Sequence, residues 1–66
     1  MKLEVIKTTD NNFLGRTFDV PSINLTGVNI PVSTDVVFSI TKSEDLGGGI
    51  HRYSNSNYIV IVREVG

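Results

Sequence analysis

IHRYSNSNYIVIV, residues 50–62, decides the fold. Two apolar-rich runs flank SNSN, residues 54–57, and Ser and Asn are residues that bond nearby backbone in turns. Pairing residues 50–53 with 58–64 across that turn makes an antiparallel hairpin. In strand phase His51 and Tyr53 share one face and Arg52 takes the other. The second run, NYIVIVREV (57–65), is the strongest strand of the chain. It sets Tyr58, Val60 and Val62 on one face and Ile59, Ile61 and Val65 on the other. A strand apolar on both faces is covered on both. The protein's own core supplies one cover, and another chain is a candidate for the second.

Just upstream lies DLGGG, residues 45–49. A phosphate loop of the Walker type needs a lysine and a hydroxyl residue after its last glycine, and a helix that begins there. Here Gly49 is followed by Ile50, His51 and Arg52, and the pattern beyond is strand. The glycines therefore serve geometry, turning the chain at positive φ into the next strand.

Working towards the N-terminus, DVVFSIT (35–41) alternates, with Val36, Phe38 and Ile40 inward and Ser39 and Thr41 outward. KSEDLGGG reads as a polar connection. INLTGVNIPV (23–32) carries two phases, Ile23 with Leu25 and then Val28, Ile30 and Val32, and the switch at Gly27 calls for a bulge or tight turn. Pro21 and Pro31 cannot donate to a ladder, so each marks an edge or a strand end. FLGRTFDV (13–20) reads as a strand with Leu14, Phe18 and Val20 in one phase, Phe13 in the other, and a bulge or close backbone approach at Gly15. TTDNN (8–12) is a turn, and KLEVIK (2–7) is a strand with Leu3 and Val5 on its inner side.

The composition agrees with this pattern. Alanine, the best helix former, is absent, while Val, Ile and Thr are plentiful. The expectation is an all-β fold, a single domain over residues 1–66. Five to six short, mainly antiparallel strands would form a small barrel or sandwich of SH3-like or OB-like size. A core this small supplies a margin of about 3–5 kcal/mol. With no cysteine, disulfides and thiolate zinc sites are excluded, which leaves an unaided core or assembly with other chains.

Several function classes are disfavoured. The net charge of −1 lacks the basic footprint of a nonspecific nucleic-acid binder. No apolar run approaches the ~18 residues of a membrane helix, and residues 1–10 lack the apolar core of a signal peptide. A soluble chain, intracellular or within a virion, is expected. His51 is the lone histidine and there is no cysteine. It is therefore expected to be a solvated strand residue and not a metal ligand, and no cofactor is expected. Hydroxyl residues are many, but a nucleophile needs a base and an orienting group in a sheltered pocket. Asp10, Asp19, Asp35 and Asp45 all sit in or beside turns, where Asp is common. The chain is expected not to be an enzyme.

Two binding readings remain. His51, Arg52, Tyr53 and Tyr58 form a candidate contact for a ligand or partner, and single-strand nucleic-acid binders use such aromatic and basic groups. Ile59, Ile61 and Val65 form a candidate assembly face. The second reading leads. It describes a non-enzymatic structural or protein-interaction module, acting with a protein partner or as a homo-oligomer, without a membrane. Very small domains free of alanine and cysteine would suit a bacteriophage accessory protein such as a capsid decoration component.

Overall fold

The computed structural model describes residues 1–31 and 37–65. The chain is all-β. Seven strands are present among the described residues: β1 (Lys2–Thr8), β2 (Thr17–Asp19), β3 (Val28–Pro31), β4 (Val37–Ile40), β5 (Lys42–Gly47), β6 (Ile50–Ser54) and β7 (Ile59–Glu64). Five of them make one antiparallel sheet in the order β2-β1-β7-β6-β5, and β3 and β4 make a second, two-stranded sheet. β2 and β5 end the larger sheet and do not pair with each other, so the described strands form two sheets and not a closed barrel.

The two sheets share one core. Leu3, Val5, Phe18, Tyr53, Val60 and Val62 come from the larger sheet, and Ile30, Phe38 and Ile40 come from the smaller. Phe13, Val20 and Leu25 from the connections complete it. The alternation of β1, β4, β6 and β7 places these residues, since a period of two puts every second side chain on one face. Each such side chain is worth about 1.5–3 kcal/mol when fully buried. Thr41 alone separates β4 from β5, and it carries the chain from the smaller sheet to the larger. Its N–H and its hydroxyl both donate to the carbonyl of Ser54, at 2.9 and 3.1 Å.

The β5–β6 turn shows what the glycine run does. Gly47 pairs with Ile50, which leaves Gly48 and Gly49 as a two-residue loop with φ of +63° and +80°. Two successive positive-φ residues are what a type I′ hairpin turn requires, and its twist matches that of the strands.

Two stretches differ from the sequence expectation. KSEDLGGG is not a connection: Lys42–Gly47 is the edge strand β5. An edge strand needs few apolar residues, because cross-strand partners rather than intrinsic preference hold it. Residues 13–20 are not one strand either. Asp10 caps a short 3-10 turn, Asn11–Phe13, by accepting from the Asn12 N–H at 3.0 Å. The chain then turns at Gly15 and enters β2 only at Thr17. Phe13 therefore takes the core position, and Leu14, expected inward, is 53% exposed.

The bulge anticipated at Gly15 lies on the neighbouring strand. Val5 donates to Arg16 O and accepts from Gly15 N–H, and the β1–β7 register slips between Val5 and Lys7. That slip leaves Ile6 exposed. At Gly27 the N–H donates to Ile40 O at 2.7 Å and the chain enters β3, where Ile30 is buried and Val28 is exposed. Val32 and Val36, both expected inward, lie outside the described residues.

Leu3 is fully buried and Leu46 is 45% exposed. Leu3→Ala is expected to cost about 2–5 kcal/mol, enough to consume most of the folding margin. Leu46→Ala should stay within about 0.5 kcal/mol. Urea denaturation followed by circular dichroism reads both.

Candidate functional site

The larger sheet has a face turned away from the core, and β7 runs through its middle. There the register sets Arg52 opposite Ile61 on one side and Glu44 on the other. It likewise sets Arg63 opposite Ile50 and Glu4. Both arginines are ion-paired across the strands, Arg52 with Glu44 and Arg63 with Glu4, the latter at 2.6 Å. The pairs are partly exposed, so each adds only about 0–1 kcal/mol. Their larger effect is to neutralise two of the chain's six basic side chains.

Beside Arg52 runs a groove of about 260 Å³, lined by Lys7, Thr8, Thr9, Arg52, Ile59 and Ile61. Ile59 is 42% exposed and Ile61 is half-buried. The groove is below the ~300 Å³ at which pockets for drug-sized ligands begin. Val65, expected on the same face, is exposed beyond the end of β7, with its N–H donated to Lys2 O at 2.9 Å. It does not line the groove.

The four residues of the 50–58 stretch do not converge. His51 and Tyr53 share a face as the spacing predicts, but that face is the core, where they are 1% and 0% exposed. The expected solvated histidine is thus corrected: β6 is paired on both sides, by β5 and β7, and its odd positions point inward. Arg52 is on the outer face. Tyr58 leaves the turn in phase with Val60 and packs edge-on against Phe13, with ring centroids 5.3 Å apart. The turn itself forms as the sequence indicates, with Asn55 Oδ1 accepting from the N–H of Asn57 and of Tyr58, both at 2.8 Å.

The buried pair is polar and partly satisfied. The Tyr53 hydroxyl donates to Ile23 O, which ties the 20–27 segment to the sheet. His51 Nε2 lies 2.6 Å from Ser43 Oγ, and the ring sits 5.1 Å from that of Tyr53. His51 Nδ1 has no hydrogen-bond partner and is 4.0 Å from Asp45 Oδ1. Among the described residues no three His, Asp or Glu side chains are grouped to hold a metal ion. Ser43 carries no signal in the sequence, where KSEDLGGG reads as a connection, and Asp45 reads there as a turn residue. Counting back from the two-residue turn at Gly48–Gly49 sets Leu46 across from His51, and only the bulge between Asp45 and Gly47 brings Asp45 there.

Burial pushes the Tyr53 phenol up to about 12. A phenol held above its ordinary value of about 10 stabilises the fold fully below pH 10. That stabilisation is lost as the pH rises from about 10 towards 12, where the unfolded chain ionises first. The unfolding midpoint in urea should fall across that window. Tyr53→Phe should flatten the dependence, and should cost about 1–3 kcal/mol at neutral pH through the unpaired Ile23 carbonyl.

No protein-family model matches the chain, and no curated protein or solved structure is significantly similar to it. What the chain does is therefore read from its own surface chemistry.

Proposed function

We propose that this chain is a non-enzymatic protein-contact module, a small subunit of a larger assembly, that meets its partner through the outer face of β7. The observation that carries the reading is an apolar strip on the central strand of the sheet. Ile59 and Ile61 line an open groove there, and no other part of the described chain covers it. Outward side chains of a central strand are ordinarily polar when they face water. Apolar groups in that place gain from being covered by another protein surface. An accessory component of a virion is one such assembly.

Nucleic acid is the weaker reading. Base stacking needs exposed rings, whereas His51 and Tyr53 are buried and Tyr58 leans on Phe13. Arg52 and Arg63 already hold carboxylates.

Light scattering over a concentration series tests the contact. The wild-type chain should show mass above the 7.2 kDa of a single chain, rising with concentration. Ile61→Lys should weaken that association by more than about 10-fold, as a central apolar contact does, with an unchanged circular dichroism spectrum. Leu46→Lys, at the exposed β5–β6 end, should leave it intact. A wild-type chain of single mass throughout would exclude self-association, and the same variants would then be read against a partner of different sequence.

A further inference from the structure

At the β5–β6 hairpin Ser43, His51 and Asp45 stand in a row, with the His51 ring buried and the Asp45 side chain 73% exposed. Ser43 Oγ is 2.6 Å from His51 Nε2, and the other ring nitrogen, Nδ1, is 4.0 Å from Asp45 Oδ1. The register builds this arrangement. Ser43 pairs with Tyr53 and Asp45 with His51, so Ser43 and Asp45 lie on the same face of β5 as the ring lies on β6. Asp45 is itself held in place, since its Oδ1 accepts the Gly47 N–H at 2.8 Å.

His51 is 1% exposed, and its Nδ1 is a buried polar atom with no hydrogen-bond partner. Such an atom is costly and calls for an explanation. In the tautomer that carries its proton on Nδ1, that proton lies on the side of Asp45 Oδ1, 4.0 Å away. Nε2 is then bare and accepts the Ser43 hydroxyl proton. Nucleophile, base and orienting carboxylate thus follow one another as acyl transfer to a serine requires. Ser43 is half-buried on the strand that ends the sheet.

We propose that Ser43 is an activated nucleophile that accepts an acyl group from an activated ester, with His51 Nε2 as its base and Asp45 as a positioning residue. Ser43 Oγ bonds to the carbonyl carbon while its proton passes to Nε2. The bond from that carbon to the leaving oxygen breaks, and the leaving group departs as an alcohol with the proton from Nε2. The product is an ester on Ser43 and a neutral histidine, with no further reactant. The site lies on the opposite face of the sheet from Ile59 and Ile61, and does not rest on the contact reading.

The probe is p-nitrophenyl acetate, with tryptic mapping of residues 43–52 by fragmentation mass spectrometry. The folded chain should acetylate at Ser43 about 100-fold faster than at its other serines, the low end of what a positioned base supplies. Urea should abolish the difference, and Ser43→Ala should leave residues 43–52 unmodified. Asp45→Asn keeps an acceptor for the Gly47 N–H, so the melting temperature should hold. Ser43 acetylation should nonetheless slow by about 10-fold or more, and Asp45→Glu should recover part of it. Imidazole ¹⁵N spectra of the wild-type chain should show Nδ1–H with bare Nε2, a readout that needs no variant to fold. Acetyl groups confined to lysines and the N-terminus, Ser43 no faster than other serines, or an Nε2–H tautomer would each overturn the proposal.

Discussion

The structure depends on β7 being paired along both edges. β1 lies on one side and β6 on the other, with Val62 opposite Val5 and His51, and Val60 opposite Thr8 and Tyr53. Without β7 the larger sheet separates into a β1–β2 hairpin and a β5–β6 hairpin, neither able to cover a core. β1 and β7 come from opposite ends of the described chain, so their pairing closes a loop of nearly the whole sequence. Non-local pairing of this kind must meet its entropy cost before its contacts form. A slow, cooperative folding step is the consequence.

The core around β7 is small and contains polar groups at its centre. Tyr53 and His51 are among the largest fully buried side chains, and each reaches a specific partner, Ile23 O or Ser43 Oγ. Phenylalanine at 53 or leucine at 51 would fill the same space without fixing direction. The Tyr53 hydroxyl instead gives the 20–27 segment, otherwise held by few strand contacts, one position over the sheet. Satisfied polar groups in a core specify a unique packing, and unsatisfied ones destabilise it. His51 does both, one nitrogen paired and the other orphaned, and this asymmetry makes it chemically the most informative residue of the chain.

Much of the architecture was legible because β1 and the 35–41 run alternate, where a period of two shows as apolar and polar residues taking turns, and because β7 is a β-branched run bounded by turn residues. The all-β class, the SNSN turn and the use of the glycines at positive φ follow from the same local chemistry. β5 was not legible, because KSEDLG has neither alternation nor β-branched residues and becomes a strand only through its partners on β6. Phe13 was misplaced because an Asp10 cap, a cue of one residue, outweighs a strand-like run. The site was legible in part. Parity told which residues share a face, but not which face turns inward: for 59 and 61 the outward side was assigned correctly, while for 51 and 53 the core side was taken for surface. Facing is decided by the cover that the β3–β4 hairpin and the 20–27 segment provide, and no local pattern encodes it.

The two faces of the larger sheet divide the chemistry between them. Outside, the charges are satisfied by one another: Arg52 and Arg63 are held by Glu44 and Glu4, and the apolar strip of Ile59 and Ile61 lies beside Arg52. In the contact proposed above, affinity would come from removing apolar area from water, at about 25 cal/mol per Å², and the paired charges would bias the orientation of the second surface. Ionic strength should then have little leverage on the contact, in contrast to binding driven by unpaired cations. Inside, the reverse holds. The apolar work is complete, and the residual potential is concentrated on one orphaned ring nitrogen and the hydroxyl opposite it. Because side chains alternate along each strand, a single hairpin serves both faces: Arg52 and Glu44 look outward, while His51 and Ser43, their immediate neighbours, look in.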